Sequence, residues 1–312
     1  MINLKILIFA LSSFLLTYIF LLKIIPILKL KILDIPNERS LHKKPIPRGG
    51  GIAFSLSSAL LLAINGNFEP IFSLPLALVG LADDLKDISS KYRYLFQVIT
   101  VLLLFINSQF IYQILNYGYL ISIPLLLISL IFFTGIINFV NFMDGMDGLV
   151  ASCMIVVFFV YSSLINPNYI LITTSLVGFL IWNWPPAKVF MGDCGSTFLG
   201  SVFIGSLLHS KEIIPAIAVF NVSCPLILDA FFCVVRRYVA GQNIFESHKK
   251  HLYQRLFDGG MSQRKVVFLY FIYSSLIYFS YLFLGISGEF LVIFLMIIHG
   301  LYLDRNLAKP FS

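Results

Sequence analysis

YLFQVITVLLLFINSQFIYQILNYGYLISIPLLLISLIFFTGIINFVNFM, residues 94–143, decides the fold class, because these fifty residues contain no Asp, Glu, Lys or Arg. A helix that crosses a bilayer needs roughly 17–25 mostly apolar residues. The stretch therefore holds two such helices, with a turn between them near Asn116-Tyr117-Gly118. It predicts a helical integral membrane protein.

The composition of the whole chain supports the same class. Of its 312 residues, 59% are hydrophobic and 12% are charged, whereas a soluble domain has about 45–50% apolar and about 25% charged residues. Twenty-two basic and fifteen acidic side chains are too few to cover the surface of a soluble domain of this size. The composition excludes a soluble cytosolic enzyme, a disordered chain and a secreted disulfide scaffold.

Further stretches without charged residues predict the remaining membrane helices. Two of them, residues 70–82 and 290–303, are short; counting both gives eleven spans, and leaving both out gives nine. The stronger stretches are residues 6–22, 49–68, 148–187 (two helices, broken at Asn166-Pro167-Asn168), 194–210, 213–235 (interrupted by Asp229) and 266–288.

The basic residues favour eleven spans. With the N-terminus outside, the cytoplasmic segments carry twenty of the 22 Lys and Arg residues, all except Lys5 and Lys211, as the positive-inside rule expects. The net charge of +7 then reflects topology and lipid headgroups rather than nucleic acid, since no basic patch is interleaved with stacking aromatics. We predict an all-α polytopic membrane bundle of about eleven transmembrane helices with a cytoplasmic C-terminus. Residues 1–312 would form one domain, with the active site in the cytoplasmic loops at about residues 23–48, 83–93, 138–147, 183–196 and 235–265.

Six of the fifteen acidic residues lie in three short clusters on this cytoplasmic side. In the first cluster, Asp83, Asp84 and Asp87 fall on one broad face of a helix. Carboxylates this close together remain ionised at a low cost in free energy only when a cation neutralises them. The alternative is a solvated acidic loop that neighbouring Lys and Arg side chains balance.

In the second cluster, two Asn and two Asp residues recur at every third position, as Asn138, Asn141, Asp144 and Asp147. A glycine follows each aspartate and permits tight turns and the close approach of a ligand. Asn and Asp together can bind hydroxyls, amides and a hydrated cation. The alternative is a helix C-terminus that runs into a polar turn.

The third cluster, Met191-Gly-Asp-Cys-Gly-Ser-Thr197, precedes an apolar stretch. Backbone N–H groups at a helix start suit phosphate, but Asp193 would repel phosphate unless a divalent metal lies between them. Mg²⁺ prefers one or two carboxylates together with phosphate oxygens and waters. The alternative is a helix N-cap formed by Asp or Ser.

Two basic loops complete the polar set. Residues 39–51 place cations beside a triglycine, and residues 246–256 place His248, His251 and Arg255 on one face if that segment is helical. We favour phosphate contact; an interfacial amphipathic helix and a zinc site are the alternatives. The zinc interpretation lacks a Cys or acidic third ligand at helical spacing, and the four cysteines show no metal-binding spacing.

In order, these motifs resemble the polyprenyl-phosphate N-acetylhexosamine-1-phosphate transferases, which include the phospho-MurNAc-pentapeptide translocase and undecaprenyl-phosphate GlcNAc-1-phosphate transferases. The resemblance runs from about Asp34 to Arg255. It rests on Arg-x-x-His…Pro-x-Pro-Arg-Gly-Gly, Asp-Asp-x-x-Asp, Asn-x-x-Asn-x-x-Asp-Gly-x-Asp-Gly, Gly-Asp-x-Gly-Ser and the His-bearing last loop. The third motif is strong by itself, and the ordered set is stronger.

The resemblance implies a reaction and its partners. UDP-N-acetylhexosamine and undecaprenyl phosphate would give undecaprenyl-diphospho-N-acetylhexosamine and UMP at the inner (cytoplasmic) membrane, with Mg²⁺, or Mn²⁺ in its place. Membrane lipid is a further expected partner, nucleic acid is not, and a homodimer is compatible with the resemblance.

The resemblance also implies residue roles. Asp83 or Asp84 would ready the lipid phosphate for attack, and Asp193 with Asp84 would hold the metal. The substrate-binding residues would be Lys43, Arg48, Asn138, Asn141, Asp144, Asp147, His248, His251 and Arg255. The last loop, His-Lys-Lys-His-Leu-Tyr-Gln-Arg, lacks the adjacent histidines of the translocase and looks more like the branch that initiates O-antigen or related glycans.

Two other function classes compete with this interpretation. An intramembrane aromatic prenyltransferase also uses Asp-rich motifs and Mg²⁺, but it requires neither Gly-Asp-x-Gly-Ser nor a basic His loop. A transporter would line a path through the bilayer midplane with charged residues, whereas here nearly all of them lie at one interface and Asp229 alone is placed mid-span.

Overall fold

The computed structural model describes residues 4–36, 41–244, 246 and 248–311. Within these ranges the chain forms thirteen α-helices, one 3₁₀ turn and a ribbon of two short strands. The helices are α1 Leu4–Lys31, α2 Gly51–Ile64, α3 Glu69–Lys86, α4 Ser90–Ile106, α5 Gln109–Leu115, α6 Tyr119–Phe142, α7 Leu149–Leu164, α8 Ile170–Asn183, α9 Gly192–Leu208, α10 Ile213–Val222, α11 Cys224–Val239, α12 Leu252–Asp258 and α13 Gln263–Asn306; the strands are β1 Leu33–Asp34 and β2 Ile46–Pro47, and the 3₁₀ turn is Pro167–Tyr169.

Every apolar stretch predicted to be a membrane helix is helical, and the predicted breaks at residues 116–118 and 166–168 both separate helices. Three stretches differ in detail. Residues 94–143 form three helices, α4, α5 and α6, instead of two, because the first predicted helix is broken between α4 and α5 with a bend of 80°. Residues 213–235 form two helices, α10 and α11, bent by 67°, with Pro225 in the first turn of α11, where its missing N–H is tolerated. Residues 266–303 continue through one helix, α13, with a non-helical backbone at Gly285 (φ 63°, ψ −157°).

Three helices, α1, α6 and α13, are by length and composition able to cross a bilayer alone. Two bent pairs, α4 with α5 (80°) and α10 with α11 (67°), bring the number of candidate spans to five. Large apolar side chains point outward on the long helices; Leu120 of α6 is 94% exposed and Phe283 of α13 is 81% exposed. The protein is thus a helical multi-pass membrane protein, and eleven crossings stay a prediction.

Helix α9 lies at the centre of the bundle and packs against α2, α3, α4 and α6. Small residues allow the backbones to approach closely, as is common between membrane helices. A Cβ on Gly51 of α2 would lie 2.3 Å from Cα of Gly195, and a Cβ on Gly80 of α3 would lie 2.5 Å from the carbonyl carbon of Asp193. This packing brings the C-terminal end of α3 beside the N-terminal end of α9.

The β-ribbon is an addition to the predicted all-α fold. Leu33 pairs with Pro47 and Asp34 pairs with Ile46 in antiparallel register. The Phe190 N–H donates to the carbonyl of Pro47 at 2.9 Å, which anchors the ribbon next to the start of α9. The ribbon therefore carries the first basic loop to the end of the bundle where the acidic clusters lie.

Candidate active site

The ends of α3, α6 and α9 bring the three acidic clusters together. The Arg93 guanidinium donates from one nitrogen, Nη1, to Asp83 at 2.8 Å and to Asp193 at 2.7 Å. From the other side, Asn141 Nδ2 donates to Asp193 Oδ1 at 3.0 Å and to the hydroxyl of Ser196 at 2.9 Å. Asp193, in the first turn of α9, is therefore the point where the clusters meet.

Asp84 faces the N-terminus of α9. The backbone N–H groups of Asp193 and Cys194 point toward its carboxylate at 3.3 and 3.5 Å, where the positive end of the helix dipole favours an anion. Gly192, at φ +68°, permits this approach, since a Cβ there would lie 2.2 Å from Asp84 Oδ2. The glycine of the Gly-Asp motif thus makes room for a carboxylate from another helix.

Burial and mutual repulsion raise the pKa values of these carboxyl groups. Burial first, and then the neighbouring Asp193, raise the pKa of Asp83 to about 6 and that of Asp84 to about 8. Burial also raises the pKa of Asp144 well above its usual value, with contributions from Asp193, Asp84 and Asp147. The cluster holds more negative charge than the protein neutralises, which is the condition under which a bound cation is stabilising.

The second motif covers the end of α6, which carries Asn138 and Asn141, and the turn between α6 and α7, residues 143–148, which carries Asp144 and Asp147. The backbone here matches the alternative interpretation, a helix C-terminus that runs into a polar turn. The side chains of Asp144 and Asp147 nevertheless face the site. Asp147 Oδ2 accepts a hydrogen bond from the Ala187 N–H at 2.9 Å. Asn183 fixes the end of the turn by accepting from the Gly148 N–H at 2.9 Å.

These groups line one cleft of about 310 Å³. Its walls include six of the predicted site residues, Arg48, Asp84, Asp144, Asp147, Asp193 and His248. Carboxylates dominate one side. Arg48 supplies a positive charge, and His248, whose pKa burial lowers to about 3, supplies a neutral ring that can form a hydrogen bond. Such a cleft can bind a polar ligand with two or more phosphate groups through a cation and basic side chains.

Comparison with known proteins identifies the family. A profile of glycosyl transferase family 4 matches residues 70–211. An undecaprenyl-phosphate alpha-N-acetylglucosaminyl 1-phosphate transferase of Thermotoga maritima is 31% identical over 272 residues, covering 86% of each chain. The chain belongs to glycosyl transferase family 4.

Other relatives of this family 4 chain carry related names. A probable undecaprenyl-phosphate N-acetylglucosaminyl 1-phosphate transferase of Bacillus subtilis is 27% identical, covering 87% of this chain and 82% of the relative. A phospho-N-acetylmuramoyl-pentapeptide-transferase of Staphylococcus carnosus is 26% identical, covering 84% and 94%. The resemblance read from the motifs is confirmed at the level of the superfamily, and the protein is a transferase.

Six of the predicted site residues of this transferase lie outside the lining of the cleft. Asp83 shares the Arg93 guanidinium with Asp193, and Asn141 donates to Asp193. Asn138 exchanges hydrogen bonds of 2.9 and 3.0 Å with Gln97. Lys43 is exposed. Arg255 donates to the carbonyl of Lys309 at 2.8 Å and lines a second groove. His251, the sixth such residue, is buried next to His248.

Two local expectations for the transferase are wrong. Asp87 ends α3 with a left-handed backbone (φ 47°), so it does not share a helical face with Asp83 and Asp84. Helix α12 begins only at Leu252, so His248 and His251 do not share a helical face with Arg255.

The start of α12 has a clear physical cause. Asp229 accepts from the N–H groups of Leu252 and Tyr253 at 2.8 and 3.1 Å and so caps the helix. Asp229 also accepts from the Tyr270 hydroxyl at 2.6 Å, and Arg236 pairs with Asp304.

Sequence reasoning missed several residues that line the cleft, among them Asp34, His42, Asn183 and Gln254. His42 stands in the Arg-x-x-His motif, which was a usable signal; Arg39 of that motif lies outside the described residues. Asp34 reaches the cleft through the β-ribbon, where it pairs with Arg48 at 3.2 Å. No spacing rule for helices would have indicated that pair.

Proposed function

We propose that this transferase moves N-acetylhexosamine-1-phosphate from a UDP-sugar to undecaprenyl phosphate and releases UMP. The observation that supports this most directly is the meeting of Asp84, Asp144, Asp147 and Asp193 in one cleft with Arg48 and His248. The Bacillus subtilis and Thermotoga maritima relatives are undecaprenyl-phosphate transferases, which supports this class of acceptor. In this reaction an oxygen of the lipid phosphate attacks the β-phosphorus of the donor, and the bond from that phosphorus to UMP breaks.

The residues divide into two roles in this proposal. Asp83 and Asp84 ready the lipid phosphate and orient it, without having to remove a proton, because a phosphate monoester is already ionised at neutral pH. Asp144 and Asp147 bind the nucleotide sugar, Asn141 holds Asp193 in position, and Arg48 and His248 contact the diphosphate of the donor. Phosphoryl transfer depends mainly on positioning and on neutralising charge, which is what a cleft of this composition supplies.

A divalent ion fits the donor atoms present. Asp84 and Asp193 offer carboxylate oxygens at the helix start, and oxygen ligands are those that Mg²⁺ and Mn²⁺ prefer. We propose that these two residues hold Mg²⁺, which would neutralise the diphosphate charge when bound. The raised pKa of Asp84, about 8, agrees with a site that lacks positive charge in the metal-free protein.

We extend the proposal to topology and biological role. The chain crosses the inner membrane eleven times with its C-terminus in the cytoplasm, and the single domain carries its active site in the cytoplasmic loops. The product starts a cell-surface glycan, and the last loop favours the O-antigen-initiating branch over the peptidoglycan translocase.

The test supplies purified protein with undecaprenyl phosphate, Mg²⁺ and a panel of UDP-amino sugars, and identifies the products by mass spectrometry. We expect UMP and a lipid diphosphate sugar. Release of pyrophosphate from a prenyl diphosphate, without UMP from any donor, would instead indicate the aromatic prenyltransferase class.

Variants test the residues. Asp83→Asn, Asp84→Asn and Asp193→Asn are each expected to abolish UMP release while the protein still inserts into membranes. Glu212→Gln, an exposed acidic residue before α10, is the matched control and should stay active. Near-normal Mg²⁺-dependent turnover by Asp193→Asn would remove the metal assignment.

A further inference from the structure

A second group of ligand-type side chains lies beside the cleft. Cys233 of α11, His248 of the last loop and His251 at the start of α12 each offer a sulfur or nitrogen atom, and the three atoms lie within 4.8 Å of one another. Cys233 and His251 are 4% and 3% exposed. The spacing of residues in the sequence did not indicate this group, because the third ligand, Cys233, comes from α11, which ends before the last loop begins.

Backbone contacts hold the group in place. Asp229 lies one helical turn before Cys233 on the same face of α11. Its carboxylate accepts from the N–H groups of Leu252 and Tyr253 and so fixes the start of α12 against α11. His251 directly precedes these two residues and is thereby held next to Cys233.

His251 also has an unmet polar atom. Among the described residues its buried Nδ1 atom has no hydrogen-bond partner, and the closest carboxylate oxygen, Asp229 Oδ1, is 3.8 Å away, too far for a hydrogen bond. An unpaired buried nitrogen costs about 1–3 kcal/mol. Binding of a metal ion to this nitrogen would remove that cost.

We propose that Cys233, His248 and His251 bind a zinc ion that ties the last loop to α11. Thiolate and imidazole are the ligands that zinc prefers, and they differ from the oxygen donors of the magnesium site. Bond lengths to zinc of about 2.0–2.3 Å place its ligand atoms about 3.5 Å apart, so small ring rotations complete the site. Water would fill the fourth position.

His248 joins this group to the active site. Since His248 also lines the cleft, the zinc would fix one wall of the active site.

The test measures metal content and does not depend on turnover. Full-length protein in detergent is loaded with Zn²⁺, desalted and analysed by mass spectrometry; a second sample is loaded with Co²⁺ and examined by absorption spectroscopy. We expect about one ion per chain and a thiolate-to-cobalt charge-transfer band. Cys233→Ser should lose the band and most of the zinc. Cys224→Ser, a buried cysteine on the same helix, should retain both.

Thermal unfolding keeps the inference testable if Cys233→Ser folds poorly. Zinc should raise the melting temperature of the wild-type and Cys224→Ser proteins but not that of Cys233→Ser, because a ligand stabilises only a state that binds it. Equal zinc content in Cys233→Ser and wild type, or no zinc in the wild type, would overturn the proposal. Either result would leave the transferase proposal unaffected.

Discussion

At the scale of single residues, the cluster around Asp193 contains carboxylates for which protons and metal ions compete. Among the described residues, Asp84 accepts two long hydrogen bonds from backbone N–H groups, at 3.3 and 3.5 Å. Its burial and the charge of Asp193 raise its pKa to about 8. A proton therefore occupies Asp84 in the metal-free protein at neutral pH, and a cation has to displace it.

This competition predicts a pH-dependent magnesium requirement. Below the raised pKa the proton is bound, so the Mg²⁺ concentration for half-maximal UMP release should rise as the pH falls, by up to about tenfold per pH unit between about pH 8 and pH 6. The KM for nucleotide sugar at saturating Mg²⁺ is the control and should change less. A magnesium requirement that is constant over this range would contradict the assigned role of Asp84.

The residue types of the site were predictable from the sequence, whereas the contacts between these residues were predictable only in part. The motif order was enough to select Asp84, Asp144, Asp147 and Asp193, because polar groups beside membrane helices are rare and costly. Arg255 shows the limit: its charge favours phosphate, yet Asp304 and the Lys309 carbonyl bind its guanidinium. Which partner a long side chain meets depends on distant segments that no local pattern encodes.

At the scale of secondary-structure elements, the close packing of α3 on α9 makes Gly192 sensitive to substitution. In Gly192→Ala the new Cβ would lie 2.2 Å from Asp84 Oδ2, so the carboxylate must move. Misplacement of a reacting group by about 1 Å can reduce turnover about a hundredfold, and we expect a loss of that size in UMP release with normal membrane insertion.

Gly66→Ala is the matched control for this change. Gly66 also has a positive φ, +81°, but a Cβ there would meet no atom within 4 Å. It carries the same backbone strain, about 1–2 kcal/mol, without the clash. An equal loss of activity in the two variants would show that backbone strain, and not the displacement of Asp84, is responsible for the loss.

The cap on α12 is a second element whose contribution can be measured. Asp229→Ala removes the acceptor of two backbone N–H groups and of the Tyr270 hydroxyl. Leaving these donors unpaired should destabilise the protein by about 2 kcal/mol or more, seen as a lower Tm in detergent. Asp258→Ala, which breaks the exposed ion pair with Lys249, should cost under about 1 kcal/mol; equal shifts would argue against the cap.

Helices were more predictable than the angles between them. Apolar length placed every predicted helix, since each must bury its backbone polar groups within itself in lipid. The 67° bend between α10 and α11 escaped prediction because the apolar character of residues 213–235 continues across it. Pro225 was the available signal, but proline is tolerated in the first turn of a helix and does not specify an angle.

At the scale of the whole molecule, the asymmetry of basic residues predicts which end of the bundle faces the cytoplasm. A reporter fused after residue 312 should be cytoplasmic, and one inserted beside Lys211, between α9 and α10, should lie on the opposite side. Enzymatic reporters active in only one compartment provide the measurement. Reporting from the same side would contradict both the span count and the side assigned to the cleft.

The cleft opens where the C-terminal ends of α3 and α6 meet the N-terminal end of α9. A lipid that receives its sugar there keeps that sugar in the compartment that supplied the nucleotide. Carrying such a hydrophilic head through about 30 Å of hydrocarbon is a different physical task. Delivery to the far leaflet would therefore require separate machinery, which must bind the diphosphate-linked lipid after this enzyme has released it.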